Sequence, residues 1–482
     1  MECVMNYLRV AAFFAVVFLA SEAASAPNFV VIMTDDQEAE SLAGMNEAAS
    51  GFTFRSIVKR GVTFRNSFVV TPQCGPSRAS FLKGQYPHNH GLWTNNASPN
   101  GYAQFSEQQT LAVWLKNSGY VTSLIGKYIN GYGTVAKASG NPQLVVPPGW
   151  SNWQAFVGNP DYYNYTLNVN GSLESHQSAD ADYSTDVIAA KAASFIASQG
   201  SSPFFLWVTF NAPHDPFTPP SRYAKSYGSL SAPRSPGWNE ADVSDKPAYI
   251  RGLPLLGTAG TNAYLWINQT YRSQMGALAA VDDGVGTIMN QLAASGLLSN
   301  TYVIFTSDNG YMRGEHRLPY NKVVPYEPSI RVPLVISGPG IPAETERGDI
   351  VSNIDLTATI IDLAGANAGL ALDGKSLRPL WSTSQYGPPF RNYLLFEFMA
   401  NFPQNYPVPA GQPYTIPAYA AIRSSGYKLT QYNTGEIELY DMTNDPAELR
   451  SAQADQAMAP VLASYMQTLQ SMRLCVGSSC VR

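Results

Sequence analysis

Four apolar runs in this sequence end in residues that can do chemistry. Residues 28–33 (NFVVIM) lead into Thr34, Asp35 and Asp36, and residues 120–125 (YVTSLI) into Gly126 and Lys127. Residues 204–210 (FFLWVTF) lead into Asn211, Ala212, Pro213 and His214, and residues 301–306 (TYVIFT) into Ser307, Asp308 and Asn309. Each run reads as a buried strand. In open α/β sheets ligands bind beyond the carboxyl ends of the parallel strands, so the four endings are expected to form one site. Asp35, Asp36, Asp308 and Asn309 are hard oxygen donors that suit Ca2+ or Mg2+ rather than zinc, which favours imidazole and thiolate. One Asp pair after a strand could equally be a solvated turn or a helix cap. A second pair at another strand end favours a metal.

A fifth candidate is Cys74, in Thr71-Pro-Gln-Cys-Gly-Pro-Ser-Arg78. Pro76 suits the first turn of a helix reaching about Leu82, and Gly84 suits its end. Cys74 and Arg78 would then flank a helix N-terminus, which attracts anions, and a fixed guanidinium adds bidentate recognition. A free cysteine is more often buried and inert, but this one stands between prolines and polar residues.

The elements that must hold these residues alternate strand and helix. Helical patterns occupy 109–118, 182–197 and 270–295, the last with Met275, Leu278, Val281, Val285, Ile288, Met289 and Leu292 on one side, and a further strand occupies 332–337. The pattern predicts an α/β fold with a large, mainly parallel sheet flanked by helices. After residue 385 it changes: short strands at 419–423, 427–432 and 437–440 read as an antiparallel meander closed by a helix over 460–472. The expected division is a signal peptide over 1–26, a catalytic domain over 27–385 and an antiparallel C-terminal domain over 386–482. The boundary lies in the Ser/Gly/Pro-rich stretch 382–389, and 403–417 reads as an irregular loop. Asp282, Asp283 and Asp355 sit in helical or capping contexts and read as structural.

The first 26 residues show one basic side chain, an apolar run over 10–20 and small residues at 21–26, the order of a secretory signal peptide cut within 23–26. Eleven apolar residues are too few to span a bilayer, so no membrane anchor is expected. In an oxidising compartment Cys475 and Cys480 can pair, and Cys74 is then left unpaired. Asn96, Asn164, Asn170 and Asn268 stand in glycosylation sequons. With 30 basic and 35 acidic residues, the chain carries no basic footprint for nucleic acid.

Cys74-Gly-Pro-Ser-Arg78 matches the C-x-P-S-R signature of the type I sulfatases, in the alkaline-phosphatase-like superfamily. Gly119–Tyr128 resembles that family's second signature. Gln85-Tyr-Pro-His-Asn-His90, Gly126-Lys-Tyr-Ile-Asn130, Tyr162-Tyr-Asn-Tyr-Thr-Leu167, Ala212-Pro-His-Asp-Pro216 and Asp308-Asn-Gly-Tyr311 resemble its N-acetylglucosamine-6-sulfatase and arylsulfatase branch. The resemblance covers most of the mature chain. It implies that a formylglycine-generating enzyme oxidises Cys74 to Cα-formylglycine, and that Cys74 so modified joins Asp35, Asp36, Asp308 and Asn309 around a metal, usually calcium. It also implies that Arg78, Lys127, His214 and Lys322 line a sulfate site. Many sulfatases carry a His two residues after the lysine of the second signature; here Ile129 stands there, followed by Asn130. His88, His90 and His316 are candidates for the missing base.

The chemistry implied is sulfate-ester hydrolysis. The hydrated aldehyde offers a metal-acidified hydroxyl that attacks sulfur, cations stabilise the sulfuryl oxygens, and His214, aided by Lys322, protonates the leaving oxygen. Loss of a proton from the second hydroxyl then expels sulfate. Expected substrates are aryl sulfates, 6-sulfated amino sugars or other sulfated glycans, met in the medium or a lysosome-like compartment. The rival readings are a phosphonate or phosphate diester hydrolase of the same superfamily and a catalytically silent, secreted binder of sulfated glycans.

Overall fold

The computed structural model describes residues 26–48, 51, 57–96, 100–137, 140–257, 261–381, 389–404 and 413–482. The signal-peptide segment up to residue 25, and all of the 382–389 boundary except Pro389, lie outside the described residues.

Ten strands form one mixed sheet: β1 (Asn28–Thr34), β2 (Gly61–Phe68), β3 (Val121–Gly126), β4 (Asn152–Phe156), β5 (Thr166–Val169), β6 (Ser172–Ser175), β7 (Phe204–Thr209), β8 (Thr301–Ser307), β9 (Leu334–Ser337) and β10 (Thr345–Ser352). Their order is β10-β2-β9-β8-β1-β7-β3-β4-β5-β6. The central run from β8 to β4 is parallel, β9 runs antiparallel to both neighbours, and β5 and β6 extend the far edge antiparallel. All four strands read from the sequence for their chemical endings are neighbours in this parallel centre.

In the centre β1, β7 and β8 are buried at every position and mostly apolar, because both faces are covered. Val30 and Ile32 of β1 and Leu206 and Val208 of β7 pack with the helices Ser184–Ala197 and Asn262–Ala294. Phe29, Val31, Met33, Phe205 and Trp207 face the helices Cys74–Lys83, Leu111–Asn117 and Asn353–Ala364. Each fully buried side chain of this size contributes about 1.5–3 kcal/mol. Asn262–Ala294 begins eight residues before the helix expected over 270–295, because Ala263 and Ile267 continue its buried seam.

The meander strands β14 (Tyr419–Arg423), β15 (Tyr427–Tyr432) and β16 (Ile437–Asp441) are joined by β11 (Leu394–Phe398) in the antiparallel order β11-β14-β15-β16. The stretch expected to be an irregular loop instead holds a short antiparallel pair, β12 (Phe402–Gln404) and β13 (Tyr414–Ile416), at its ends. Pro403 fits because this pair stands apart from both larger sheets, where a missing N–H costs little.

The Ala459–Met472 helix leads into the disulfide Cys475–Cys480. This terminal loop is tied back to residues 86–89 and to Asp373. Asp373 accepts Gly477 N–H at 2.7 Å and Tyr86 N–H at 2.8 Å, and Asn89 donates to the Cys475 carbonyl at 2.9 Å. His88 bridges Glu397 on β11 (Nδ1, 2.6 Å) and the Cys475 carbonyl (Nε2, 2.9 Å). Both partners are acceptors, so the bridge is complete only with imidazolium. Burial opposes that charge, but the hydrogen bond to Glu397 and its negative charge outweigh burial and raise the His88 pKa. The stabilisation is therefore full below about 6.5, the unfolded value, and fades as pH rises through the higher folded value. His88→Leu is expected to cost on the order of 1–2 kcal/mol at pH 5.5. In urea unfolding the gap from wild type should narrow steadily up to pH 8.5; a gap independent of pH would show that the imidazolium does not carry the bridge.

Candidate active site

Cys74 opens its helix next to Gln73 in extended backbone, with Pro76 in the first turn and Gly84 closing the helix in the left-handed region (φ 62°). It lies at the carboxyl ends of β1, β7, β3 and β8. Its Sγ is 3.4 Å from Asp35 Oδ1 and 3.0 Å from Lys322 Nζ. Arg78, one turn on, is fully buried and donates to Asp308 Oδ2 at 2.8 Å and to the Lys127 carbonyl at 2.7 Å, with Asp35 Oδ2 at 3.5 Å. Lys127 pairs with Asp35 and Lys322 with Asp36. His214 Nε2 stands 3.8 Å from Asp36 Oδ2. Asn309 Nδ2 donates to Asp36 Oδ1 at 2.6 Å. The nine residues read from the sequence as a site are thus brought together.

Local backbone explains the convergence. Asp36 sits at φ 66°, a region open to Asp, and its N–H points at Asp308 Oδ1 (3.3 Å). Gly126 ends β3 at φ 120°, and a Cβ there would lie 1.9 Å from the Thr209 carbonyl, so only glycine lets β3 approach β7 and launch Lys127. Lys322 lies in a strained loop. Asn321 and Val323 both have positive φ (89° and 64°), the latter unfavourable for a β-branched residue, and Val323 N–H anchors the loop to the Pro72 carbonyl at 3.1 Å. His214 donates from Nδ1 to the Asp215 carbonyl (2.7 Å), leaving Nε2 to face Asp36, and its own carbonyl accepts from Tyr162 Oη at 2.8 Å.

The electrostatics are those of one coupled cluster. Burial works against ionised Asp35, but Lys127, His214, Arg78 and Lys322 outweigh it and hold its carboxyl well below the usual range. Burial and the neighbouring Asp35 raise Asp308. Burial works against charged Lys322, but Asp36, Cys74 and the other carboxylates hold it protonated far above its ordinary value. Burial, then Asp35, push the Cys74 thiol up to about 12, the two lysines offsetting only part.

A hard cation fits here. Asp35, Asp36, Cys74 and His214 each offer a ligand atom, all within 4.8 Å of one another, Asp308 adds another carboxylate, and the buried Oδ1 of Asn309 has no hydrogen-bond partner. An unpaired buried amide oxygen beside carboxylates is what an oxygen-liganded cation would satisfy.

The other histidines do not reach this site. His88 serves the C-terminal tie, His90 bonds Ser80 Oγ (2.9 Å) and Leu92 N–H, and His316 bonds Glu240 (2.7 Å) against the Tyr326 ring. All three candidacies are corrected, since each ring is held by its own partners. Ile129 is buried in the core, while Asn130 packs beside Gly75. Asp355 caps its own helix with Ser352 and binds Arg391 through both oxygens, and Asp283 binds Arg222. Asn96, Asn164 and Asn170 are exposed. Asn268 is corrected: it is 4% exposed, and its Oδ1 is taken by Ala232 N–H and Arg234, so no glycan could leave it without breaking the fold. Sequence reading gave no role to Tyr162, which supports His214, or to Asn95, which accepts Gly75 N–H at 2.8 Å. Tyr162 opens a stretch that carries the family resemblance without a role attached to it, and Asn95 lies in no motif.

Sheet and site together define the alkaline-phosphatase-like class of α/β proteins. Residues 27–366 match the family described as Sulfatase, and residues 314–474 match N-sulphoglucosamine sulphohydrolase, C-terminal. The chain belongs to the sulfatase family. It is 38% identical to human N-acetylglucosamine-6-sulfatase over 363 residues, 73% of this chain and 64% of that protein, so it spans just under two thirds of that relative. It is 33% identical to the arylsulfatase of Volvox carteri over 96% of this chain and 77% of that one. A solved structure in complex with its substrate, D-glucosamine-2-N,6-O-disulfate, shares the fold at a TM-score of 0.77 and 23% identity, over 93% of this chain and 97% of that one.

A thiol held near 12 is a poor nucleophile. Unmodified Cys74 in folded, chelator-treated protein is expected to react with iodoacetamide at pH 8 at least about 10²-fold more slowly than free cysteine, measured by intact mass. Alkylation at the free-thiol rate would contradict the burial and charge described.

Proposed function

We propose that this protein hydrolyses sulfate esters, releasing inorganic sulfate from 6-sulfated amino sugars, their glycans or aryl sulfates. The observation that carries the reading is the buried cluster in which Cys74, at a helix N-terminus, meets Asp35, Asp36, Asp308, Asn309, Arg78, Lys127, Lys322 and His214. The names of the relatives support the substrate class.

In this reading Asp35, Asp36, Asp308, Asn309 and modified Cys74 hold Ca2+, or Mg2+, which when bound supplies charge for the sulfuryl oxygens and acidifies an oxygen ligand. Oxidation of Cys74 to Cα-formylglycine during synthesis, by a formylglycine-generating enzyme, provides as its hydrate the hydroxyl that a thiol near 12 cannot replace. Arg78 fixes Asp35 and Asp308. Lys127 and Lys322, which now pair with carboxylates, turn to the sulfuryl oxygens. His214, with Nδ1–H committed to the Asp215 carbonyl, presents Nε2 to protonate the leaving oxygen. With Ile129 buried and the other histidines engaged elsewhere, His214 and Lys322 are left to take the proton in the release step. The first domain, 27–385, carries this site, and 386–482 contributes the antiparallel sheet. The Cys475–Cys480 disulfide and the exposed sequons at Asn96, Asn164 and Asn170 support synthesis in the secretory pathway, with delivery to the medium or a lysosome-like compartment. Among the described residues no helix is long and apolar enough to cross a membrane.

The deciding experiment is turnover of nitrophenyl sulfate and N-acetylglucosamine 6-sulfate beside the matching phosphate esters, with mass analysis of the residue-74 peptide. Sulfate release with an aldehyde or its hydrate at residue 74 is expected; preference for phosphate diesters, or active protein with an unmodified thiol, would overturn the reading. Asp35→Asn with Asp308→Asn should lower activity on the order of 10²-fold or more and abolish binding of about one calcium or magnesium per chain, as read by metal analysis.

If His214 is the acid, His214→Ala should hurt poor leaving groups most. The ratio of sugar-sulfate to nitrophenyl-sulfate turnover is expected to fall at least about tenfold, within the 10²–10⁴ range of acid catalysis. Equal losses on both substrates would instead make His214 a sulfate-binding residue.

A further inference from the structure

Asn211 is 2% exposed, and neither its Oδ1 nor its Nδ2 has a hydrogen-bond partner. Native proteins seldom leave both ends of a buried amide open, because each unpaired group lowers stability. A leucine, with the same number of side-chain heavy atoms and the same branching, would leave no polar group open.

Its place in the fold is set by strand alternation. Phe205 and Trp207 of β7 face the Cys74–Lys83 helix, with Trp207 against Phe81 at 5.2 Å between ring centroids. Thr209 continues that face, its hydroxyl donating at 2.7 Å to the Lys127 carbonyl that also takes Arg78. Phe210 returns to the opposite core, and its N–H still bonds Met33 in the sheet (3.0 Å). Asn211 is the next position on the Cys74 face, beyond the strand end. The following carbonyl, of Ala212, accepts Asp35 N–H at 3.1 Å, and the Asn211 carbonyl accepts His214 N–H at 3.0 Å. The open amide thus stands on the segment that links Asp35 to His214.

We propose that Asn211 is a specificity residue that touches the alcohol portion of the ester, pairing with a hydroxyl or acylamino group of the substrate. Sulfuryl oxygens only accept hydrogen bonds. They would satisfy Nδ2 and leave Oδ1 unpaired against negative charge, and Arg78, Lys127 and Lys322 are cations better suited to them. A hydroxyl or amide both donates and accepts, and so satisfies both ends of Asn211. The site would then favour polyhydroxylated, sugar-like esters over bare alkyl or aryl sulfates. This inference rests on the sulfate-ester reading and names its substrate class.

The test compares kcat/KM for N-acetylglucosamine 6-sulfate and for cyclohexylmethyl sulfate. Both release a primary alkoxide, so the role of His214 cancels, and only the sugar offers hydroxyl and acetamido groups. In Asn211→Leu the wild-type preference for the sugar ester should fall by about tenfold or more, while the urea midpoint stays level or rises. Asn211→Ser, which keeps a donor and an acceptor on a shorter arm, should lose part of the preference, and decides the matter if the leucine variant does not fold. An unchanged preference in either variant, or a lower midpoint with preference intact, would mean that the amide serves the fold through buried water and would overturn the proposal. Wild-type protein that turns over phosphate esters but no sulfate ester would sink the sulfatase reading, and this inference with it. Active enzyme with no preference for the sugar would sink the inference alone.

Discussion

The buried charge cluster at the carboxyl end of the central strands constrains everything around it. Asp35, Asp36 and Asp308 bring three negative charges, and Arg78, Lys127 and Lys322 bring three positive ones, all nine-tenths or more buried. None could be placed there alone. Removing one partner from a buried pair costs about 3–5 kcal/mol, because the survivor keeps its desolvation penalty. The six must therefore arrive together, and they come from five places: Asp35 and Asp36 from the end of β1, Lys127 and Asp308 from two other strand ends, Arg78 from a helix turn and Lys322 from a loop. The two acidic residues at 35 and 36 are split between different lysines, with Asp36 in a left-handed backbone conformation and Lys322 flanked by Asn321 and Val323, both at positive φ.

That arrangement is neutral as it stands, and so poised. A divalent cation adds two positive charges and a monoanionic sulfate ester one negative charge. The occupied site would then carry one net positive charge, placed where the leaving oxygen develops a negative one. The lysines are the movable members, since an ammonium on a four-carbon stem can turn between neighbours, whereas Arg78 is fixed by Asp308 and the Lys127 carbonyl. Rigid guanidinium and mobile ammonium thus divide the work of holding the carboxylates and meeting the substrate.

The sequence made the strand endings legible because parallel strands buried on both faces read as unbroken apolar runs, and their last residues stand out chemically. Residues 28–34, 121–126, 204–209 and 301–307 are central strands for that reason. The outer strands were not legible. β2 carries Arg65 and Asn66 in its middle, β10 carries Glu346, Arg347 and Asp349, and β5 and β6 are only four residues long. The site residues announced by motif came together, while the histidines singled out only for being histidines did not. A ring at 88, 90 or 316 has no spacing that reveals whether its neighbours will be Glu397, Ser80 or Glu240, since those partners lie on other elements. The burial of Asn268 was equally hidden. Its sequon is a local signal, and its burial depends on Ala232 and Arg234 folding back over the long helix.

Unsatisfied polar atoms give a second view of the same region. The fold pairs its buried charges closely, yet leaves Asn309 Oδ1 and both polar atoms of Asn211 open at one end of the sheet. Elsewhere in the core the Asp355 carboxylate is fully satisfied, accepting from Ser352, Lys375 and Arg391. Closed networks hold elements together and are indifferent to what binds. Open donors and acceptors beside a neutral, tightly paired charge cluster weaken the empty protein slightly and are repaired when something with matching groups arrives. A cation would complete the Asn309 oxygen, and a hydroxylated ester would complete Asn211.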